Sequence, residues 1–228
     1  MITPLADMDF NTLNIPYLIP THSQKSAYIE QHYPAQKYQQ QWQAEWQKIH
    51  HPDTYNISTI EAKETLWLIN VFNQLFHFQN VCLIKGNDEP EYFPATSTKP
   101  AQIVFAHGYF SSALHEISHW CVAGKRRRTL TDFGYWYAPD GRNEQQQRQF
   151  EQVEIKPQAI ECLLTRACQR KFNTSKDNLN ADFDTSQSTF DQDVWHQVHH
   201  YLKYPEELPK DAILLINVLQ QICQSNEA

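Results

Sequence analysis

The chain has 228 residues and carries 19 Lys and Arg against 26 Asp and Glu, a formal charge of −7. That length suits one substantial core, or a core with an appendage, and the acidic balance argues against non-specific nucleic-acid binding. Aromatic residues at 13% support a packed core, while 5 Gly and 5 Cys without a Cys-x-x-Cys argue against glycine-rich phosphate cradles, disulfide frameworks and cysteine zinc sites.

The opening "MITPLADMDF" has no basic n-region and no apolar h-region, and no apolar run approaches the ~20 residues of a membrane span. The expectation is a cytoplasmic protein without membrane contact. Residues 1–24 read as an extended arm. Residues 24–50 are Gln-rich, and Tyr38, Trp42 and Trp46 recur every fourth residue, the stripe of a helix laying an aromatic edge on the main body. "HHPDTYNIST" reads as a linker. Residues 1–58 are therefore expected to form an N-terminal extension, and 59–228 the main domain.

A helix is predicted over 59–77, with Leu66, Ile69, Leu75 and Phe76 on one face. Residues 81–84 read as a short buried strand ended by Gly86, "NDEPEYFPATSTKP" as a Pro-rich loop, and "QIVFA" as a second strand. A helix follows from Phe110 or Ser111, with Gly124 as its stop. "DFGYWYAPDGRN" reads as an aromatic strand or turn closing on the turn at residues 139–141. A helical pattern runs over 144–170, with a break or kink expected just before Pro157. Residues 171–188 read as a loop, and helices close the chain over 189–202 and 209–224. The balance is an α+β class: a mostly helical single domain with a small sheet.

"HEISHW" places two histidines four residues apart. On a helix His115 and His119 lie on one face and can aim two imidazoles at one ion, with Glu116 on the flank, within reach of ion-bound water. Two imidazoles hold a divalent metal poorly, so a third ligand is required. Glu144, Glu151, Glu154 and Glu161 are the downstream candidates. Glu144 sits beside a turn among glutamines and reads as solvated. Glu154 lies between Val153 and Ile155, which favours an inward position, but local patterning does not decide between Glu154 and Glu161. Two histidines and one carboxylate suit zinc hydrolysis and ferrous oxygen chemistry equally.

Several blocks resemble the elongation factor P hydroxylase family: "LIKGNDEPEYFPA", "IVFAHGYFSSALHEISHWCVAGKRR", "DFGYWYAPDGR", "FEQVEIKPQA" and "DNLNADF". They span roughly residues 67–183, continue more loosely towards the C-terminus, and leave out the first 60 or so residues. The resemblance implies hydroxylation of a lysine of elongation factor P that already carries a β-lysyl group. It implies a 2-His-1-carboxylate metal site on His115, His119 and Glu154, with Fe(II) as the metal and dioxygen as co-substrate. It also implies a metalloprotease-like arrangement around the HExxH helix, in which Glu116 either supports the ligands from behind or handles protons, instead of serving as a peptidase base.

A β-lysyl-lysine brings positive charge on a long stem, which acidic and aromatic groups can receive. Asp88, Glu89, Glu91 and Tyr92 form one candidate wall, and Asp132, Tyr135, Trp136 and Tyr137 another. His107 is a candidate lining residue or a structural histidine. The run Lys125 to Arg128 is expected to complement the helix dipole and stay solvated. Asp177 and Asn178 read as a turn. No jelly-roll with a His-x-Asp pair and a distant His supports a 2-oxoglutarate requirement. Two other readings stand beside the hydroxylase: a zinc peptidase resting on the HExxH spacing, and a non-catalytic translation-factor binding module with a structural metal.

Overall fold

A computed structural model describes residues 8–18, 36–51, 57–134, 141–178, 183 and 188–224. Helix α1 spans Gln36–Ile49 and α2 Ile57–Leu75, followed by strands β1 (Val81–Lys85), β2 (Glu91–Phe93) and β3 (Ala101–Phe105). Helices α3 (Phe110–Val122), α4 (Glu144–Ala167), α5 (Phe190–Lys203) and α6 (Lys210–Cys223) complete the described elements. The class is the expected one: mostly helical, α+β, with a small mixed sheet.

The sheet has the order β1-β3-β2. β1 runs parallel to β3, pairing Val81 with Ala101 and Lys85 with Phe105. β2 runs antiparallel to β3, with Tyr92 opposite Ile103. Alternation puts Val81 and Leu83 of β1, and Ala101, Ile103 and Phe105 of β3, into the core, where α2 and α3 pack on the sheet. β2 corrects the expected loop. Three residues between Pro90 and Pro94 give little period to read, yet Tyr92 is buried, stacks on Phe133 at 4.1 Å and donates its hydroxyl to the carbonyl of Arg128 at 2.9 Å.

In α2 the buried face is Trp67, Leu68, Val71, Phe72 and Leu75. Leu66, expected inside, is 60% exposed because it lies on the opposite side of the turn from Leu68 and Phe72. Two of the three residues of the α1 stripe pack as expected, while Tyr38 is exposed: Trp42 and Trp46 are buried, Trp46 meets Trp67 at 4.5 Å, and Trp42 Nε1 donates to Gln74 Oε1 at 2.8 Å.

Helix α4 opens on a capping box between Asn143 and Gln146 and runs unbroken through Pro157. The expected break is absent. An internal proline costs a helix about 3 kcal/mol, but α4 is packed against α3, α5 and α6, and Pro157 is itself buried, so tertiary packing holds the helix together. In α6 every residue from Ala212 to Gln220 is buried, the pattern of a helix apolar nearly all round at the centre of a core. Its polar members reach the N-terminal segment. Leu18 N–H donates to Asn217 Oδ1 at 3.0 Å, Asn217 Nδ2 returns to Leu18 O at 2.9 Å, and Gln220 Nε2 donates to Ile15 O at 2.5 Å. The five cysteines are free thiols, and no described helix is long and apolar enough to cross a membrane.

Candidate metal centre

β3 leads into α3 through a sharp turn. His107 and Gly108 both adopt left-handed backbone, at φ 58° and 74°. The left-handed backbone at Gly108 favours glycine, while the end of the flexible Lys85 side chain, 2.4 Å from where a Cβ would sit, could move aside. Tyr109 offers no side-chain cap to α3. Instead, the Phe110 N–H donates to Oε1 of Glu61 on α2 at 2.8 Å. Arg170, just past the end of α4, binds Glu61 at 2.6 Å and also pairs with Glu64, and its guanidinium lies 4.6 Å from the Phe110 ring centroid. Sequence reasoning missed this brace. The Glu61 and Glu64 pair, one turn apart on α2, was its only signal.

Along α3, Ala113, Leu114, Ile117 and Trp120 are buried, which turns His115 and His119 towards α4. The two Nε2 atoms face each other at 3.1 Å. Glu154, fully buried on α4, sets Oε1 3.3 Å from His119 Nε2 and Oε2 3.7 Å from His115 Nε2. One donor atom from each of the three lies within 4.8 Å of the others. The structure thus brings His115, His119 and Glu154 together. Glu161 lies on the other side of His115, with Oε2 2.8 Å from Nδ1, the nitrogen turned away from the triad. Glu151 instead accepts from Gln147 and Ser188, and Glu144 pairs with Arg148 on the surface.

The electrostatics suit a cation. Burial disfavours charge on the His115 ring, yet the carboxylates of Glu161, Glu154 and Glu116 outweigh it and push the imidazole up to about 10. Burial acts to raise Glu154, but the hydrogen bond and charge of His119, with His115 and Gln158, hold it at about 2. Burial raises Glu116, and the nearby carboxylates add to the rise against the two histidines. Three carboxylates around two imidazoles leave an excess of negative charge that a divalent ion would balance, and both imidazoles and a carboxylate are ordinary ligands of zinc and ferrous iron. The residues present therefore fit a metal of that kind.

The other expected site residues are placed differently. Asp132 Oδ1 accepts the Tyr92 N–H at 2.9 Å, a contact that holds β2 to the turn that follows α3. Asp88, Glu89 and Glu91 are exposed. Tyr135, Trp136, Tyr137 and most of the turn at 139–141 lie outside the described residues. His107 is exposed, its ring 6.4 Å from that of Tyr109. Of the basic run, Lys125 and Arg126 are exposed, but Arg128 is not solvated as expected. It stacks on Trp120 at 3.8 Å, donates to Trp120 O at 3.0 Å and pairs with Asp211 at 2.7 Å. A planar guanidinium beside an indole face and a helix-terminal carbonyl gains more there than in water. Asp177 and Asn178 join a brace around buried Arg142, with Asn178 Oδ1 accepting the Gly141 N–H at 3.0 Å.

A family model described as elongation factor P hydroxylase matches residues 71–228. The chain is also 51% identical over 154 residues to the elongation factor P lysine hydroxylase of Haemophilus influenzae, covering 67% of this chain and 85% of that protein.

Proposed function

The chain belongs to the elongation factor P hydroxylase family, and on that premise we propose that it hydroxylates a lysine of elongation factor P already extended by a β-lysyl group, using a divalent metal, Fe(II), held by His115, His119 and Glu154. The observation that carries the reading is the convergence of two Nε2 atoms and a buried carboxylate within 4.8 Å. Bound there, ferrous iron would supply dioxygen activation, three protein ligands leaving coordination positions open.

The rest is the work of the chain. Side-chain exposure is 29% at His115 against 7% at His119 and none at Glu154, so the open side of the site lies at His115. A substrate lysine stem approaches from there. The excess of carboxylate over imidazole charge draws its ammonium groups, while Trp120 and Ile117 seal the helix on its core side against water. Glu116, whose proton burial holds more tightly than in an ordinary glutamate, gives and takes protons beside the reacting stem.

The test is an aerobic incubation of the protein with ferrous iron and β-lysylated elongation factor P, read by intact mass. The product gains one oxygen atom, and the gain disappears in His115→Ala, His119→Ala and Glu154→Ala. No gain with the unaltered protein, or full gain in Glu154→Ala, contradicts the reading.

A further inference from the structure

Glu161 faces the metal-site histidine that packing holds least. His119 is buried, whereas His115 is the half-buried histidine at the open side; its Nε2 faces His119 and Glu154, and its Nδ1 faces Glu161. An imidazole left free about its terminal torsion occupies two broad ring orientations, and either nitrogen can carry the proton of the neutral form. Glu161 Oε2 lies 2.8 Å from Nδ1. A carboxylate accepts hydrogen bonds and cannot donate, so this contact requires the proton on Nδ1. The lone pair of the neutral ring is then on Nε2, the atom that faces His119 Nε2 at 3.1 Å and Glu154 Oε2 at 3.7 Å.

Resting on the metal site proposed above, we propose that Glu161 is a positioning residue for the reaction. By accepting the Nδ1 proton of His115 it fixes the ring orientation and tautomer that present Nε2 to the metal. Glu161 is not itself a ligand: its carboxylate sits behind the ring, on the nitrogen opposite the triad. Outer carboxylates that orient a ligating histidine typically change metal affinity by about 10–100-fold.

The test titrates the metal-free full chain with Co(II), following the visible spectrum, for the unaltered protein, Glu161→Ala and Glu161→Gln, with the melting temperature of each metal-free protein measured alongside. Removing the acceptor in Glu161→Ala weakens Co(II) binding by about 10–100-fold and shifts the spectrum as His115 loses its fixed orientation. The Glu161→Gln amide oxygen still accepts from Nδ1, so that variant recovers most of the affinity and the original spectrum. Unchanged affinity and spectrum in Glu161→Ala overturn the inference. Equal weakening in both variants also overturns it, since the lost negative charge and not the acceptor would then be responsible. A fall in melting temperature without a change in Co(II) affinity marks Glu161 as structural only and overturns it as well. If the unaltered protein fails to bind Co(II) while His115→Ala behaves identically, the metal site itself is refuted, a result distinct from failure of the Glu161 role.

Discussion

Glu154 and Glu161 stand seven residues apart on α4, close to two helical turns, and both point from the same side of that helix. No spacing argument can rank them. What separates them is where α3 crosses: Glu154 meets both Nε2 atoms, and Glu161 meets the far nitrogen of His115. The histidine pair was legible because four-residue spacing is a local property of one helix. The carboxylate partner was legible only through the resemblance of "FEQVEIKPQA", since pairing between helices is a tertiary fact. Glu116 carries its own expectation. It is half-buried beside the pair and outside the donor triad, so Glu116→Gln retains the metal and lowers kcat by about 10²–10⁴-fold, the usual worth of a positioned acid or base. Metal content per chain and steady-state turnover check this together. Loss of metal, or unchanged turnover, would contradict it.

At the scale of elements, the first turn of α3 depends on a carboxylate from another helix. A helix N-terminus leaves orphan amides and a partial positive charge, and Glu61 answers both through the Phe110 N–H. Arg170 holds Glu61 and Glu64 in turn, tying α2 and the end of α4 to the start of α3. Arg170→Ala removes the cation shared by two carboxylates and lying on the Phe110 face, leaving Glu61 with the Phe110 N–H and Glu64 with His50. With Arg170 partly exposed, the cost is roughly 1–3 kcal/mol, below that of a fully buried pair. The urea-unfolding midpoint should fall accordingly, and an unchanged midpoint would refute the brace. Helix periods and strand alternation made most elements visible in the sequence. The continuous helix through Pro157 and the short strand around Tyr92 are decided by neighbouring elements, whereas the exposed Leu66 follows from helical phase and was a misread local pattern.

Across the whole molecule, the core does not stop at the part of the chain that carries the family resemblance. Ile15, Leu18, Trp42 and Trp46 share it with α2 and α6, although the matching blocks and the family match begin downstream. The helix carrying Trp42 and Trp46 was legible from its period, but the seating of Ile15 and Leu18 against Gln220 and Asn217 was not, because those partners lie about 200 positions away. The net charge of −7 fits the proposed partner, which presents ammonium groups. In the proposed function the opening at His115 delivers an oxygen atom from dioxygen to a lysine stem through a site built on His115, His119 and Glu154. That delivery can be followed by running the iron-loaded protein with β-lysylated elongation factor P under isotopically labelled dioxygen in ordinary water. A single labelled oxygen in the product, absent with Glu154→Ala, is the predicted result. An unlabelled oxygen taken from water, or a labelled product from Glu154→Ala, would contradict the account.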